Sequence, residues 1–381
     1  MEHKTEYLTN LTTLRGIAAL LVAVFHFEMA IARFVPAQAT MFFEKCYLMV
    51  DLFFIMSGFI IFHVYKDNFA NHIGRGDLKK YLVARFARIY PLHFFSLLLL
   101  VVLVILFSPA GTYPNAIENP WAIPTGFLLL HSYYIHQIYT WNIPSWSISA
   151  EWAAYLLFPV LALFMSKKKR IAVFLIGLCI IAAYLSIMYF LPRKNYLYPS
   201  IPVPHNLNTT YDYGFLRGIA GFALGMLVYR AYQLIALKKI FQKDFMGTAT
   251  IFLLIVAMHL ALNDAICVVL FALVVLCFSL NDGRLHTLCN NRLAQYIGKI
   301  SYSIYLMQIF LQEPFSKGLR LSGVVGFGRG RQNIGFASGL MYCIIYLLLL
   351  LAISSATYYT IEQPCRKFIN RMGGNKQLHN G

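Results

Sequence analysis

The chain is predicted to be an all-α polytopic membrane protein, with about ten transmembrane helices and both termini in the cytoplasm. Apolar residues make up 59% of the 381 residues and charged residues only 12%, with a mean hydropathy of +0.62. Soluble domains carry roughly 25% charged residues, so an ordinary soluble fold is excluded. Disorder is excluded too, because a chain with 31 Phe and 25 Tyr has too much apolar surface to stay solvated. The apolar residues also gather into runs close to the length of about 20 residues that crosses a bilayer.

The runs lie near 14–34, 47–66, 90–108, 145–166, 170–191, 212–233, 246–262, 264–280, 295–315 and 334–361. The first carries Arg15, Glu28 and Arg33 and ends at no small-residue cleavage site, so a retained span is expected rather than a signal peptide. Asp51 opens the second. Ahead of the third, Leu78, Tyr81, Leu82 and Phe86 fall along one helical stripe with basic residues beside it, as in a short helix near 75–88 lying in the headgroup region. The weakly apolar stretch 122–138 holds Pro124, His131, His136 and Gln137 and is expected to be a partial or re-entrant element in a long outer loop. Gly214, Gly218, Gly221 and Gly225 in the sixth run mark close helix packing. No linker, composition break or solenoid-spaced repeat divides the chain, so a single transmembrane domain over 1–381 is expected, with no appended soluble domain.

The net charge of +17 suits nucleic acid in principle, but its placement does not. Basic residues cluster between apolar runs, where cytoplasmic loops and anionic lipid headgroups would meet them. With ten spans and the N-terminus inside, eight of the 32 Lys and Arg fall outside (Arg33, Lys45, Arg193, Lys194, Lys317, Arg320, Arg329, Arg331). Arg15, Arg217 and Lys299 fall within spans, and the remainder, Lys4, Lys168 and Lys376 among them, fall inside. Partners are therefore membrane lipid and not nucleic acid. Of seven cysteines, Cys179, Cys267, Cys277 and Cys343 lie in apolar runs and none forms a CxxC pair. They read as buried structural thiols, with no disulfide framework and no metal site.

Ionisable residues within spans are costly, which makes each a site candidate. Arg15 and His26 are 11 residues apart, three helical turns plus about 20°, so they share a face, about 16 Å apart along the axis. Arg15 lies near the cytoplasmic surface and His26 in the outer half. Asp51 and Glu151, on the second and fourth runs, are expected at the depth of His26. A carboxylate beside an imidazole fixes its tautomer and stabilises the imidazolium, as a general base requires; a structural ion-pair network would use the same residues. Ser145, Ser149 and Trp152 fall on one helical face and suit a sugar-like acceptor or, equally, close helix packing. On the inner side Arg85 and Arg88, one turn apart, can clamp a phosphate or contact lipid headgroups. No GxSxG, Walker A, HExxH or GxGxxG motif occurs.

These residues form an ordered set. Arg15-x10-His26 comes first, then Asp51-Leu-Phe-Phe-Ile-Met-Ser57-Gly58-Phe59, then Arg85-x-x-Arg88 followed by Ile-Tyr-Pro91. Ser145-Trp-Ser-Ile-Ser-Ala-Glu151, Ile300-Ser-Tyr302-Ser-Ile-Tyr305-Leu and Ile361-Glu362-Gln-Pro364 complete it. The set resembles acyltransferase family 3, membrane-bound O-acyltransferases of glycans, over about residues 8–368. The resemblance implies ten spans in a bacterial inner membrane. It also implies transfer of an acyl group, usually acetyl, from cytoplasmic acyl-CoA to a hydroxyl of a surface or exported glycan or its lipid-linked precursor. It places the essential histidine at His26 and acyl-CoA contacts at Arg85 and Arg88; Arg15 is expected to assist them and Tyr302 to contact the acceptor. Where many members read Tyr-Leu-x-His, this chain reads Tyr305-Leu306-Met307-Gln308. Direct attack by the hydroxyl and transient acylation of His26 both fit. Buried charges also suit a transporter of a small anionic solute, and the acceptor could be a lipid or small molecule.

Overall fold

The computed structural model describes residues 8–107, 119–167, 169–193, 204–325 and 333–374. Lys4, Lys168, Lys194, Arg329, Arg331 and Lys376, used above to judge orientation, lie outside the described residues, as does 108–118 of the long loop. Regular structure among the described residues is helical, apart from one isolated bridge between Arg33 and Asn333. In chain order the helices are α1 (Thr9–Ala30), α2 (Met49–Tyr65), α3 (Arg75–Phe107), α4 (Ala122–Phe127), α5 (Trp146–Lys167), α6 (Lys169–Leu185), α7 (Gly214–Tyr232) and α8 (Ile235–Phe241). They continue with α9 (Asp244–His259), α10 (Asp264–Leu280), α11 (Arg284–Cys289), α12 (Arg292–Lys299), α13 (Ser301–Leu321), α14 (Phe336–Thr357) and α15 (Gln363–Met372).

The chain forms two compact units, one of Met1–Phe53 with Ala231–Tyr358 and one of Phe54–Arg230 with Tyr359–Gly381, so the division falls inside α2. In the first unit α1 packs on α12 and α13. Polar side chains fix its start. Asn10 Nδ2 donates to the carbonyl oxygens of Phe278 (2.8 Å) and Asn281 (3.1 Å), and Gln295 Nε2 reaches Thr9 O, Thr13 Oγ1 and Cys289 O. Gly16 and Gly298 make the crossing of α1 and α12 possible, since a Cβ on Gly298 would stand 2.0 Å from Thr12 O. In the second unit α2 and α7 approach in the same way. A Cβ on Gly58 would meet Phe222 O at 1.9 Å and one on Gly225 would meet Ile55 O at 2.0 Å. With lipid on the outside there is little hydrophobic gain in bringing helices together, so backbone approach over small residues drives the packing.

Among the described residues six helices are long and apolar enough to cross a membrane: Thr9–Ala30, Glu44–Tyr65, Arg75–Leu106, Ile143–Lys167, Arg170–Phe190 and Phe336–Met372; Gly214–Tyr232 counted with Ile235–Phe241 makes a seventh. The ten apolar runs thus exceed the helices that qualify on length and hydropathy. α9 and α10 have 16 and 17 residues, about 24 and 26 Å at 1.5 Å per residue, short of a core of about 30 Å. α13 is long enough but carries Gln308, Gln312, Glu313, Lys317 and Arg320. Apolar stripes face outward, such as Leu98, Val102 and Ile105 on α3 and Leu340, Ile344 and Leu348 on α14, where lipid rather than water would meet them. Of the four cysteines expected to be buried, Cys267, Cys277 and Cys343 are, whereas Cys179 lies on the exposed face of α6.

The interfacial helix expected near 75–88 is not a separate element. α3 runs unbroken for 33 residues with Pro91 inside it. Asp77 suits the positive end of the helix, nothing between it and Tyr90 breaks the helix, and Pro91 removes only one backbone donor. At about 50 Å the helix exceeds the hydrocarbon core, so its start projects beyond it. The partial element expected at 122–138 is the six-residue α4 followed by turns, with Leu129 and Tyr134 in the left-handed region at φ 58°.

Candidate functional site

Acid–base chemistry needs a group with one proton position fixed and the other open. In the first unit α1 supplies such a group. His26 is half-buried, and its Nδ1 lies 3.0 Å from the carbonyl oxygen of Val22, one turn back. A carbonyl only accepts, so Nδ1 carries the proton and Nε2 the lone pair. The sequence suggested a carboxylate in that orienting position; a backbone oxygen holds Nδ1 instead. Phe25 meets the ring edge-on, centroids 5.0 Å apart. The buried side chain of Gln308, from α13, stands beside the ring. Gln308 Nε2 donates to Tyr305 O at 2.9 Å, and apart from the His26 ring Gln308 Oε1 has no hydrogen-bond partner among the described residues.

The surroundings of His26 are braced from two sides. On the turn Glu44–Leu48, Lys45 Nζ and Tyr47 OH both donate to the buried carboxylate of Asp264 at the start of α10, at 2.5 and 2.6 Å. Tyr47 in turn packs its ring against Phe25 at 6.4 Å. Asp51 is fully buried in the first turn of α2, close to Cys267 of α10. Arg15 lies about 16 Å along α1 from His26 at 1.5 Å per residue, and its Nη2 reaches Gly298 O at 3.5 Å. Tyr302 is half-buried near the start of α13.

In the second unit a polar ladder joins α2, α3 and α5. Glu151 Oε1 accepts from Ser57 Oγ (2.8 Å) and from Tyr155 OH (2.6 Å). The Tyr155 ring faces the Arg85 guanidinium at 5.9 Å, and the Tyr65 ring faces it at 5.4 Å. Arg85 Nη2 also donates to Tyr65 OH (3.4 Å), and Tyr81, one turn before Arg85, donates to Tyr155 O (3.0 Å). A carboxylate thus ends the ladder on one side and a cation on the other, with tyrosine hydroxyls between. A guanidinium held over aromatic faces keeps its in-plane donors available to an oxyanion. Arg88, one turn on, is ion-paired with the buried carboxylate of Glu362 at the end of the π-turn Tyr358–Glu362. Of the two guanidiniums, one is therefore met by rings and the other by a carboxylate.

The face of α5 proposed for an acceptor is largely occupied by protein partners. Ser145 Oγ donates to Asn142 O (2.6 Å) and sits 2.9 Å from His131 Nε2. Its only hydrogen is therefore engaged, and His131 donates to it rather than activating it. Burial, then the neighbouring His93 imidazole, pushes His131 down to about 3, so the ring is neutral. Ser149 Oγ donates to Leu129 O (2.5 Å) and lies 2.8 Å from Ser132 Oγ. These bonds tie the 129–132 turn to α5 and support the packing reading. Trp152 remains half-buried, edge-on to Phe86 at 6.2 Å. Tyr155 went unremarked in the sequence and Tyr81 was read only as part of an apolar stripe, although each is one helical turn from a flagged charge, Glu151 and Arg85.

A family model described as an acyltransferase domain matches residues 8–359. The chain is 35% identical over 161 residues to acyltransferase MdmB of Streptomyces mycarofaciens, covering 40% of this chain and 38% of that protein. Over 128 residues it is 35% identical to protein 2 in the picA locus of Rhizobium radiobacter, covering 31% and 61% respectively. It is 22% identical over 200 residues to peptidoglycan O-acetyltransferase OatA of Listeria monocytogenes, covering 49% of this chain and 30% of that protein. The chain spans less than two thirds of the length of each of these relatives. No solved structure matches it. With the family match running from the first turn of α1 to the end of α14, over all the ordered motifs but the last, at 361–364, the chain belongs to acyltransferase family 3.

Proposed function

We propose that the chain is an O-acyltransferase that moves an acyl group, acetyl in the first instance, from cytoplasmic acyl-CoA to a hydroxyl of a glycan or its lipid-linked precursor. The observation that carries the proposal is the state of His26: its Nδ1–H is engaged by Val22 O, which leaves Nε2 as a base in a chain of an acyltransferase family. Relatives named peptidoglycan O-acetyltransferase support a glycan as acceptor. The proposed setting is a bacterial inner membrane, with ten spans and both termini inside.

His26 Nε2 takes the proton of the acceptor hydroxyl while its oxygen bonds to the thioester carbonyl carbon. The carbon–sulfur bond then breaks, and the CoA thiolate takes the proton back from the imidazolium and leaves as the thiol. An acyl-His26 intermediate reached through the same Nε2 gives the same products. Arg85, cradled by Tyr65 and Tyr155, and Arg88 beside it bind the CoA phosphates, with Arg15 assisting. The pantetheine arm then has about 16 Å of α1 to cover between Arg15 and His26. Asp51, fully buried, and Glu151, half-buried, are the acidic residues proposed to take part in the reaction.

Purified protein in vesicles tests the proposal. Thiol release from acetyl-CoA that depends on an added glycan acceptor, with acetyl recovered on that glycan, supports it. Accumulation of an anionic solute inside the vesicles without thiol release contradicts it and supports a transporter.

A further inference from the structure

Gln308 is fully buried, yet half of its amide is unused. The Nε2 end is committed to Tyr305 O, three residues back on α13, which fixes which end is nitrogen. Apart from the His26 ring it faces, the Oε1 end has no partner among the described residues. A buried acceptor without a donor is costly, and Leu or Met at this place would fill a similar volume without that cost. The side chain stands beside His26, whose Nε2 also presents a lone pair because Nδ1–H is held by Val22 O. The first unit therefore holds two acceptors next to each other, one that can take a proton and one that cannot. An amide oxygen stays an acceptor at every working pH, whereas a carboxylate or imidazole here would titrate and compete for the His26 proton.

Resting on the acyltransferase reading, we infer that Gln308 is a specificity-determining residue that reads a second donor on the acceptor, adjacent to the hydroxyl that His26 deprotonates. The ligand class is a sugar with a vicinal hydroxyl, or an acetamido N–H, beside the position acylated. One donor meets Nε2 and gives up its proton; its neighbour meets Gln308 Oε1 and keeps it. A simple alcohol satisfies only the first, leaving Oε1 buried and unpaired, and a site built to bond a second group discriminates against ligands that lack it.

The test uses the full chain, acetyl-CoA, and a pyranoside compared with its single-deoxy analogues. The unmodified protein is expected to prefer the parent sugar over at least one analogue that keeps the acylated hydroxyl, by about tenfold or more in kcat/KM. Gln308→Leu is expected to erase that preference by lowering the parent sugar to the level of the analogue. Equal rates for the parent and every analogue with the unmodified protein overturn the inference, and this comparison needs no folded variant. An undiminished preference in Gln308→Leu overturns it as well. Absence of transfer to any sugar overturns the acyltransferase reading, and the inference with it.

Discussion

An imidazole works as a base only through a nitrogen whose lone pair faces the reactant, and in α1 the chain's own backbone decides which nitrogen that is. Val22 O accepts a hydrogen bond from Nδ1–H, so the tautomer of His26 does not depend on any one side chain. Arg85 is held differently, by two aromatic faces and a tyrosine hydroxyl. Arg85→Lys is expected to raise KM for acetyl-CoA about tenfold with a smaller change in kcat, because an ammonium lacks the planar fork that suits a phosphate. Steady-state kinetics with varied acetyl-CoA check this, and an unchanged KM would remove Arg85 from donor binding. Tyr155→Phe removes one of the two hydroxyls that donate to Glu151 among the described residues and is expected to cost about 1–2 kcal/mol of stability, read from thermal unfolding in micelles. His26, Arg15, Arg85 and Glu151 were legible in the sequence because charges stand out in or beside apolar runs. Tyr155 and Tyr81 left a fainter signal at helical spacing, whereas the pairing of Ser57 with Glu151, 94 residues away, had none. Periodicity reports which side chains share a helix face; it is silent on backbone carbonyls and on which distant helix arrives.

At the scale of elements, two features decide whether the ladder exists at all. The first is the crossing of α2 and α7 over Gly58 and Gly225. Gly225→Ala would drive a Cβ into Ile55 O, which is backbone and cannot move aside. A loss of about 3 kcal/mol or more, or of folded yield, is expected on gel filtration. The second is the ion pair that fastens the segment before α15 to α3. Glu362→Ala strands Arg88 beside the site of a removed carboxylate, and faster proteolysis within α15 at unchanged temperature is the expected result, for a cost of about 3–5 kcal/mol. Helix positions followed closely from the apolar runs, since burying backbone in lipid permits little else. Helix ends did not. α3 absorbed the stretch expected to stand apart, because a helix stops only where a residue stops it and residues 77–90 contain no such residue. α9 and α10 show the converse, apolar throughout but ended early by local turns near His259 and Asn281.

For the whole molecule, the proposed reaction makes one demand: donor and acceptor must reach the same imidazole without CoA crossing the bilayer. Inward termini and an inward start of α3 are part of that demand. Fusing a fluorescent protein or a periplasmic phosphatase to the C-terminus is expected to give fluorescence and no phosphatase activity; the opposite pattern would reverse the assigned sides. The central claim is narrower and belongs to His26. The most direct measurement is acceptor-dependent thiol release from acetyl-CoA by purified His26→Ala protein, with correct insertion shown by the same fusion. The account predicts a rate at least 100-fold below that of the unmodified protein, on the order expected for loss of a general base or of a nucleophile. A rate equal to that of the unmodified protein would contradict it.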